Sequence, residues 1–471
     1  MTSIEQAPEK PSVFHLFSTP LLPATLMLGG GVTLYAVETY ITATIAPSIV
    51  RDIGGLELFS WMTTLYVAAA VLGSIFVAMR PRGTGLRTVY VAGAVVFAAG
   101  SLICAVAPAM PVVIAGRAVQ GFGAGALAGL AYAFIRFAYP EPLWRKASTL
   151  YAAIWGISTL LGPSLGGVFT EGNAWRHAFM LLVPLGLLMA ALAPRLLPPA
   201  DDDRGAGRTP ILQIVLLLSA VLFVSLAGTF EETRTKAMLV AASMVAIAAM
   251  LVVERRSENR LLPSGAVTLS KPVARVYLTM FVLIMVLTSD IYIAYFLQVL
   301  HGVTPLIAGY LTALVALGWT LAAFFSGTLS GRRASAAIVI GCVIETVAVA
   351  SLTIFLARDN QAGNLALLGP AVVGMFLMGF GVGLGWAHLV TKILRLVGNS
   401  EQDKASAAIS TVQSLGSAFG ASVVGVITNS TGLIDPGGIA GTVSAAHWLY
   451  IVMALPGLVA IAVSLTLRDA A

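Results

Sequence analysis

Long tracts almost free of charge recur from one end of the chain to the other, and they constrain the fold more than any other feature. Fourteen can be drawn, with limits near 24–49, 58–79, 88–107, 110–136, 148–170, 177–197, 210–230, 237–253, 273–299, 306–329, 335–357, 365–391, 405–429 and 446–467. Nearly all reach the length of about 18 residues at which an apolar helix crosses a bilayer. No water inside the hydrocarbon can bond the backbone, so such tracts must be helices that satisfy their own N–H and C=O groups. Only 10% of the 471 residues are charged, against about 25% in a soluble domain. The expected class is an all-α, polytopic membrane protein.

Basic residues set the expected orientation. With the N-terminus inside, 21 of the 27 Lys and Arg fall in cytoplasmic segments, 5 in outer segments, and Arg117 within the membrane. Cytoplasmic loops retain Lys and Arg during insertion, so both termini are expected inside and the span count even. The same distribution reads the net charge of +6 as membrane topology, not nucleic-acid binding. The longest polar stretches, near 198–210 and 255–271, are too short for a soluble enzyme domain, and Asp201 to Arg204 reads as a solvated linker. Met1 to Pro23 carries Glu5 and Glu9 and no basic n-region, so it is expected to remain uncleaved. Cys104 and Cys342 lie alone in apolar tracts and read as packing residues. Gly121, Gly123, Gly125 and Gly129 are spaced for close helix approach.

Three acids interrupt the apolar tracts: Glu38, Asp290 and Glu345. A carboxylate at mid-bilayer depth is costly when charged and facing lipid. Glu38 must be protonated, or face a watery cavity, or alternate between the two; a group that alternates can couple proton movement to something else. Arg117 needs a carboxylate or several carbonyls as partners. It shares a helix face with Gln120, three residues on. Asp290 reads equally as a coupling or a packing acid; Glu345, costly at the lipid edge, reads as making an interior contact. His388, His301 and His447 lie towards span ends and read as interfacial or packed. There is no phosphate loop, metal-ligand spacing or defensible nucleophile–base pair, so neither catalysis nor ATP drive is expected.

Three stretches together carry a family resemblance. The first runs from Glu38 through Ala46-Pro47 to Asp52-Ile53-Gly54-Gly55, then Trp61 and Tyr66. The second is Gly116-Arg117-Ala118-Val119-Gln120-Gly121. The third is Ser158, Gly162-Pro163 and Gly166-Gly167, followed by Ala174-Trp175-Arg176. Together they resemble the fourteen-span drug–proton antiporters of the major facilitator superfamily. Glu38 stands for the usual aspartate of the first helix, and Ser158 for the first glycine of the antiporter motif. Tyr295 to Gly309, Gly379 to Gly385 and Lys404 to Gly416 extend the resemblance over nearly the whole chain. One departure is Arg80, where the loop between the second and third spans usually has an aspartate that helps latch the protein.

The resemblance implies two six-helix bundles, 24–197 and 273–467, with a linker at 198–272 bearing two additional central helices. Cytoplasmic segments 1–23 and 468–471 flank them. It implies proton-coupled export of amphipathic small molecules by a monomer in the bacterial cytoplasmic membrane, with no cofactor or metal. Glu38, Arg117 and Asp290 are the expected proton-coupling residues. Trp61, Tyr66, Gln120, Tyr151, Trp155, Tyr292, Gln298, Glu345, Trp386 and Gln413 are the expected cavity residues. Two alternatives stand beside this: a transporter dedicated to one metabolite, such as a sugar or siderophore, and a non-transporting membrane sensor or scaffold.

Overall fold

The computed structural model describes residues 13–79, 84–170, 174–198, 210–398 and 401–467. Arg80 and the stretch Asp201 to Arg204 lie outside them. Every regular element among the described residues is helical. The first half contains α1 (Leu22–Ile53), α2 (Trp61–Met79), α3 (Leu86–Ala105), α4 (Met110–Ala138), α5 (Trp144–Thr170) and α6 (Trp175–Leu196). Two further helices follow, α7 (Ile211–Ala227) and α8 (Thr233–Arg256). The second half contains α9 (Pro272–Leu287), α10 (Ile293–Leu300), α11 (Pro305–Ser326), α12 (Gly331–Phe355), α13 (Leu365–Leu396), α14 (Gln402–Ser430) and α15 (Gly438–Leu465).

Twelve helical runs among the described residues are long and apolar enough to cross a membrane. α1 is not one of them despite its 32 residues, because Glu38 and the surrounding threonines and glycines dilute its hydropathy. α7 has only 17 residues. Each of the fourteen apolar tracts nevertheless falls on helix. The tract at 273–299 differs from expectation, since a 3₁₀ turn at Thr288–Tyr292 separates α9 from α10. There Thr288 Oγ1 donates to the carbonyl of Ile284 at 2.7 Å and Ser289 Oγ to that of Val286 at 2.9 Å. Such hydroxyls compete with the helix's own bonding and bend it.

Glycines on α4 and α13 explain how each half packs. A Cβ at Gly121 or Gly125 would lie 2.2 Å from the carbonyl oxygen of Tyr66 or 1.9 Å from that of Ala70, both on α2. One at Gly123 would lie 2.4 Å from the Phe97 nitrogen of α3. In the second half, Gly379 and Gly383 meet the Val315 and Trp319 carbonyls of α11 at 1.7 and 2.2 Å, and Gly381 meets the Glu345 nitrogen of α12 at 2.6 Å. The same alternation of glycines lets one helix sit backbone-to-backbone between two others in both halves. Four residues before the first of these glycines, α4 carries Arg117 and α13 carries Met375. The repeat therefore shares its scaffold and not its charge.

The pair α7 and α8 is central in the chain and peripheral in space. α7 rests on α14, where Ser225 Oγ and Ser422 Oγ are 2.7 Å apart. α8 packs on α7, with Ser243 Oγ donating to the Ala220 carbonyl at 2.9 Å. Most of the remaining α8 surface is exposed and apolar, as lipid requires.

Two apolar cores divide the molecule. One joins residues of both halves, including Ile41, Ile45, Phe59 and Met62 with Val276, Tyr292, Phe296 and Leu300. The other, around Leu28, Tyr90, Phe134 and Tyr151, draws only on the first half. The first-half residues of the shared core lie towards the Trp61 end of α2, while its second-half residues run on to the basic end; the unshared core lies towards that basic end near Arg87. At the Trp61 end, Asn429 Nδ2 donates to the Glu57 carbonyl at 2.6 Å, and the Phe59 and Tyr292 rings are 4.7 Å apart. The halves are closed against each other there, and among the described residues no first-half residue joins the shared core at the basic end.

A histidine pins the second half at the Trp61 end. Asn364 N donates to Asn360 Oδ1 at 2.8 Å and Asn360 Nδ2 donates to the Asn364 carbonyl at 3.1 Å, which fixes the Asn360 amide. Asn360 Nδ2 must then donate to His301 Nδ1 at 3.0 Å. His301 Nε2 is left to donate to the Leu356 carbonyl at 3.0 Å. A second ring proton would face an N–H donor. Burial holds the imidazole below its ordinary value of 6.5, against the opposing pull of the Leu356 carbonyl and Asp359. The unfolded chain thus binds the proton more readily than the folded one. The clasp's contribution is complete above about pH 6.5 and is lost as pH falls through the lower, folded value. The thermal midpoint of the purified protein should therefore drop on acidification through this range. His301→Gln should show a flatter pH profile; equal slopes would remove His301 as the cause.

Candidate functional site

α1 and α4 supply the charged centre. Glu38 is 0% and Arg117 2% exposed. Arg117 Nη1 is ion-paired with Glu38 Oε1. It also donates to Gln120 Oε1 at 2.7 Å, the contact that their three-residue spacing predicts. Arg117 Nε donates to the Met62 carbonyl at 3.1 Å, and the guanidinium carbon lies 3.8 Å from the centroid of the Tyr66 ring, a cation–π contact.

From there a chain of polar groups runs across three helices. Gln120 Nε2 donates to Ser101 Oγ of α3 at 2.9 Å, and Ser101 Oγ donates to the Phe97 carbonyl at 2.8 Å. On the other side Thr42 Oγ1, one turn after Glu38, donates to Glu38 Oε1 at 2.6 Å. Among the described residues neither Glu38 Oε2 nor the Tyr66 hydroxyl makes a hydrogen bond of ordinary geometry, although the two side chains face each other. A buried ion pair offsets its desolvation only when further hydrogen bonds satisfy its remaining atoms. Arg117 is well supplied; the carboxylate is engaged through one oxygen and free at the other. A proton can bind that free oxygen without displacing an existing donor.

The antiporter-like motif lies beside this centre and forms a seam between helices. A Cβ at Gly162 would lie 2.2 Å from Tyr40 Cβ, and one at Gly166 2.8 Å from Thr44 Cβ, so α5 sits tight on α1. Gly167 faces Leu306 of α11, where a Cβ would lie 2.3 Å away, and one at Gly309 would touch Pro163 Cβ at 3.0 Å. Ser158 is buried and donates to the Ile154 carbonyl at 2.7 Å. The motif therefore joins α5 to both halves.

Asp290 lies half-buried on the 3₁₀ turn, within electrostatic reach of Tyr40 of α1 and Tyr450 of α15. No hydrogen bond or ion pair engages its carboxylate among the described residues. Trp155 is half-buried, and its ring centroid lies 5.3 Å from that of Tyr35 and 6.5 Å from that of Tyr40. Trp61 and Gln413 are half-buried too, as is Trp386, whose ring lies 5.3 Å from that of Trp319. Gln298 is half-buried with both amide atoms unpartnered.

Five residues expected in a cavity wall are sealed instead. Tyr66 and Gln120 are buried parts of the Arg117 network. Tyr151 belongs to the unshared core, donating to the Ala131 carbonyl at 3.3 Å with its ring against Tyr132. Tyr292 is clamped between Phe59 and Phe296. Glu345 is 0% exposed where α12 meets Gly381 of α13, and both its oxygens lack partners. In each case close helix packing has taken the face that a cavity would need. Thr42, Ser101 and Tyr35 join the site without being among the residues expected there. Thr42 stands four residues after Glu38, a legible spacing. Ser101 is brought in only by packing of α3 on α4.

Residues 27–421 match the family model of the Major Facilitator Superfamily. The chain belongs to that superfamily. Over 453 residues it is 35% identical to a probable multidrug-efflux transporter of Mycobacterium tuberculosis, covering 93% of each chain. It is 25% identical over 426 residues to multidrug resistance protein 3 of Bacillus subtilis, covering 87% of this chain and 80% of that one. Among solved structures, a bacterial homologue of the human lysosomal transporter Spinster, in an inward-facing and unoccupied conformation, has a TM-score of 0.68 at 14% identity. That match covers 96% of this chain and 97% of the other. A D-xylose–proton symporter has a TM-score of 0.63 at 15% identity, covering 96% and 98%. At such identities the structures share the superfamily fold, with helices bundled as described above.

Proposed function

We propose that this superfamily member crosses the membrane fourteen times and exports amphipathic small molecules in exchange for protons. The observation that carries the reading is the buried Glu38–Arg117 pair with one carboxylate oxygen free. The names of the two relatives support the substrate class. Two six-helix bundles, 24–197 and 273–467, rock about the seams of α5 with α11 and α2 with α14, around a site at mid-membrane depth. The lack of contact between first-half and second-half core residues at the basic end, among the described residues, fits a state that faces the cytoplasm.

A proton arriving at Glu38 Oε2 neutralises the partner of Arg117. The guanidinium keeps the Met62 carbonyl, Gln120 and the Tyr66 face, so the cation is not left bare. Loss of the pair loosens α1 from α4, and substrate entering from the basic end favours return of the proton. Trp61, Trp155, Gln298, Trp386, Gln413 and the unpartnered Asp290 are the groups available to substrate. Protons supply the energy and no cofactor takes part.

Both termini are cytoplasmic in the bacterial inner membrane, and the protein acts as a monomer. Tags at either end should be reachable only from the cytoplasmic side; labelling of one end from outside rules out this orientation. The function is tested by transport of a panel of unrelated amphipathic compounds in proteoliposomes with an imposed pH gradient. Several should move uphill and stop when the gradient collapses. Movement of one metabolite alone indicates a dedicated transporter, and gradient-independent flux excludes proton coupling.

A further inference from the structure

Away from the Glu38 site, a cavity of about 250 Å³ opens at the basic end, in the connection between α8 and α9. Arg255, Arg260, Lys271, Thr268, Gly265 and Glu254 line it. Its walls are built. Glu254 is 1% exposed, and its carboxylate accepts from Leu261 N at 3.0 Å, Leu262 N at 2.6 Å and Gln213 Nε2 at 3.3 Å. The one acid of the cavity is thereby occupied by donors. Gln213 Nε2 also holds the Asn259 carbonyl at 2.9 Å. Glu401, from the connection before α14, accepts from Ser264 N at 3.1 Å and Ser264 Oγ at 2.8 Å.

The cations are aimed by the same loop. Arg255 Nη2 donates to the Val267 carbonyl at 3.0 Å, and Arg260 Nε to the Ser257 carbonyl at 3.1 Å. The Lys271 ammonium has no hydrogen bond among the described residues. Gly265 has a φ of +84°, and a Cβ there would lie 2.5 Å from Lys271 Cδ, so the glycine leaves the space through which the lysine reaches the cavity. Three cations line a space whose one acid already accepts three hydrogen bonds.

We propose that this cavity binds a phosphate-bearing anion, and that its occupant is the headgroup of an anionic lipid at the membrane surface. Arg offers planar paired donors to phosphate and Lys a movable point charge. Basic pockets at the ends of membrane helices suit such headgroups. An occupant bridges α8 to the start of α9 and so ties the additional helix pair to the second half.

The test is the thermal midpoint of the full-length protein in detergent, titrated with short-chain phosphatidylglycerol, short-chain phosphatidylcholine or inorganic phosphate. Lys271→Gln is the main variant because that side chain supports no fold contact by hydrogen bonding; Arg260→Gln is the second. Phosphatidylglycerol should raise the midpoint saturably, and Lys271→Gln should raise the half-saturating concentration about ten-fold, the effect of losing one charge-assisted contact. Phosphatidylcholine should give no saturable rise. If inorganic phosphate reproduces the saturable, Lys271-dependent rise, the anion site stands and the lipid source is overturned. Equal shifts in wild type and both variants, or no shift, overturn the site.

Discussion

Glu38→Gln is expected to reach the membrane and fold, and to lose uphill transport altogether. The side-chain oxygen of glutamine still accepts from Arg117 and Thr42, so the shape of the network survives. It cannot take up or release a proton. Any coupling free energy that depends on Glu38 changing charge between the two conformations is then zero, and a pH gradient has nothing to act on. Downhill movement of a neutral substrate should persist. Glu38→Asp, the usual residue of the resembling antiporters, should retain much of the activity. The measurement is accumulation in proteoliposomes under an imposed pH gradient. Wild-type uphill transport by Glu38→Gln would falsify the assignment, and Asp290, an acid near the α1 face without an ion-pair partner among the described residues, would take its place.

Arg117→Ala should be inactive and more destabilised than Glu38→Gln, which leaves the guanidinium its contacts with the Met62 carbonyl, Gln120 and Tyr66. Removing one member of a buried ion pair leaves the other uncompensated, at a cost of about 3–5 kcal/mol. Here the orphan is Glu38, 0% exposed, with only Thr42 still donating to it. The Gln120 amide also loses the cation it accepts from. The thermal midpoint should fall markedly and recover in Glu38→Gln/Arg117→Met, where both charges are gone and the volume is kept. That double variant should remain unable to pump. Near-normal transport by Arg117→Ala would reduce the arginine to a packing role.

The same side chains show what reading residues in order can and cannot reach. Gln120 was found from Arg117 because three residues along a helix is a local relation, and local relations are written in the chain. Thr42 was available on the same ground. The pairing of Glu38 with Arg117 spans 79 residues; each residue's need for a partner was legible, but the partner's identity depended on how α1 meets α4. Tyr151 and Glu345 misled because a polar residue in an apolar tract looks alike whether it faces a cavity or a neighbouring helix.

By itself, the sequence determined that the chain is a bundle of membrane helices, roughly where along the chain they lie, and which few polar residues must find company inside it. These follow from the insolubility of bare backbone in hydrocarbon and the cost of burying charge, which act on every segment separately. Tertiary structure alone decided that Glu38 meets Arg117, that Glu345 is sealed between α12 and α13, and that the halves close at the Trp61 end. Each of these depends on backbones approaching within van der Waals contact at glycines on helices distant in the chain, and on the fit between surfaces that no single segment contains.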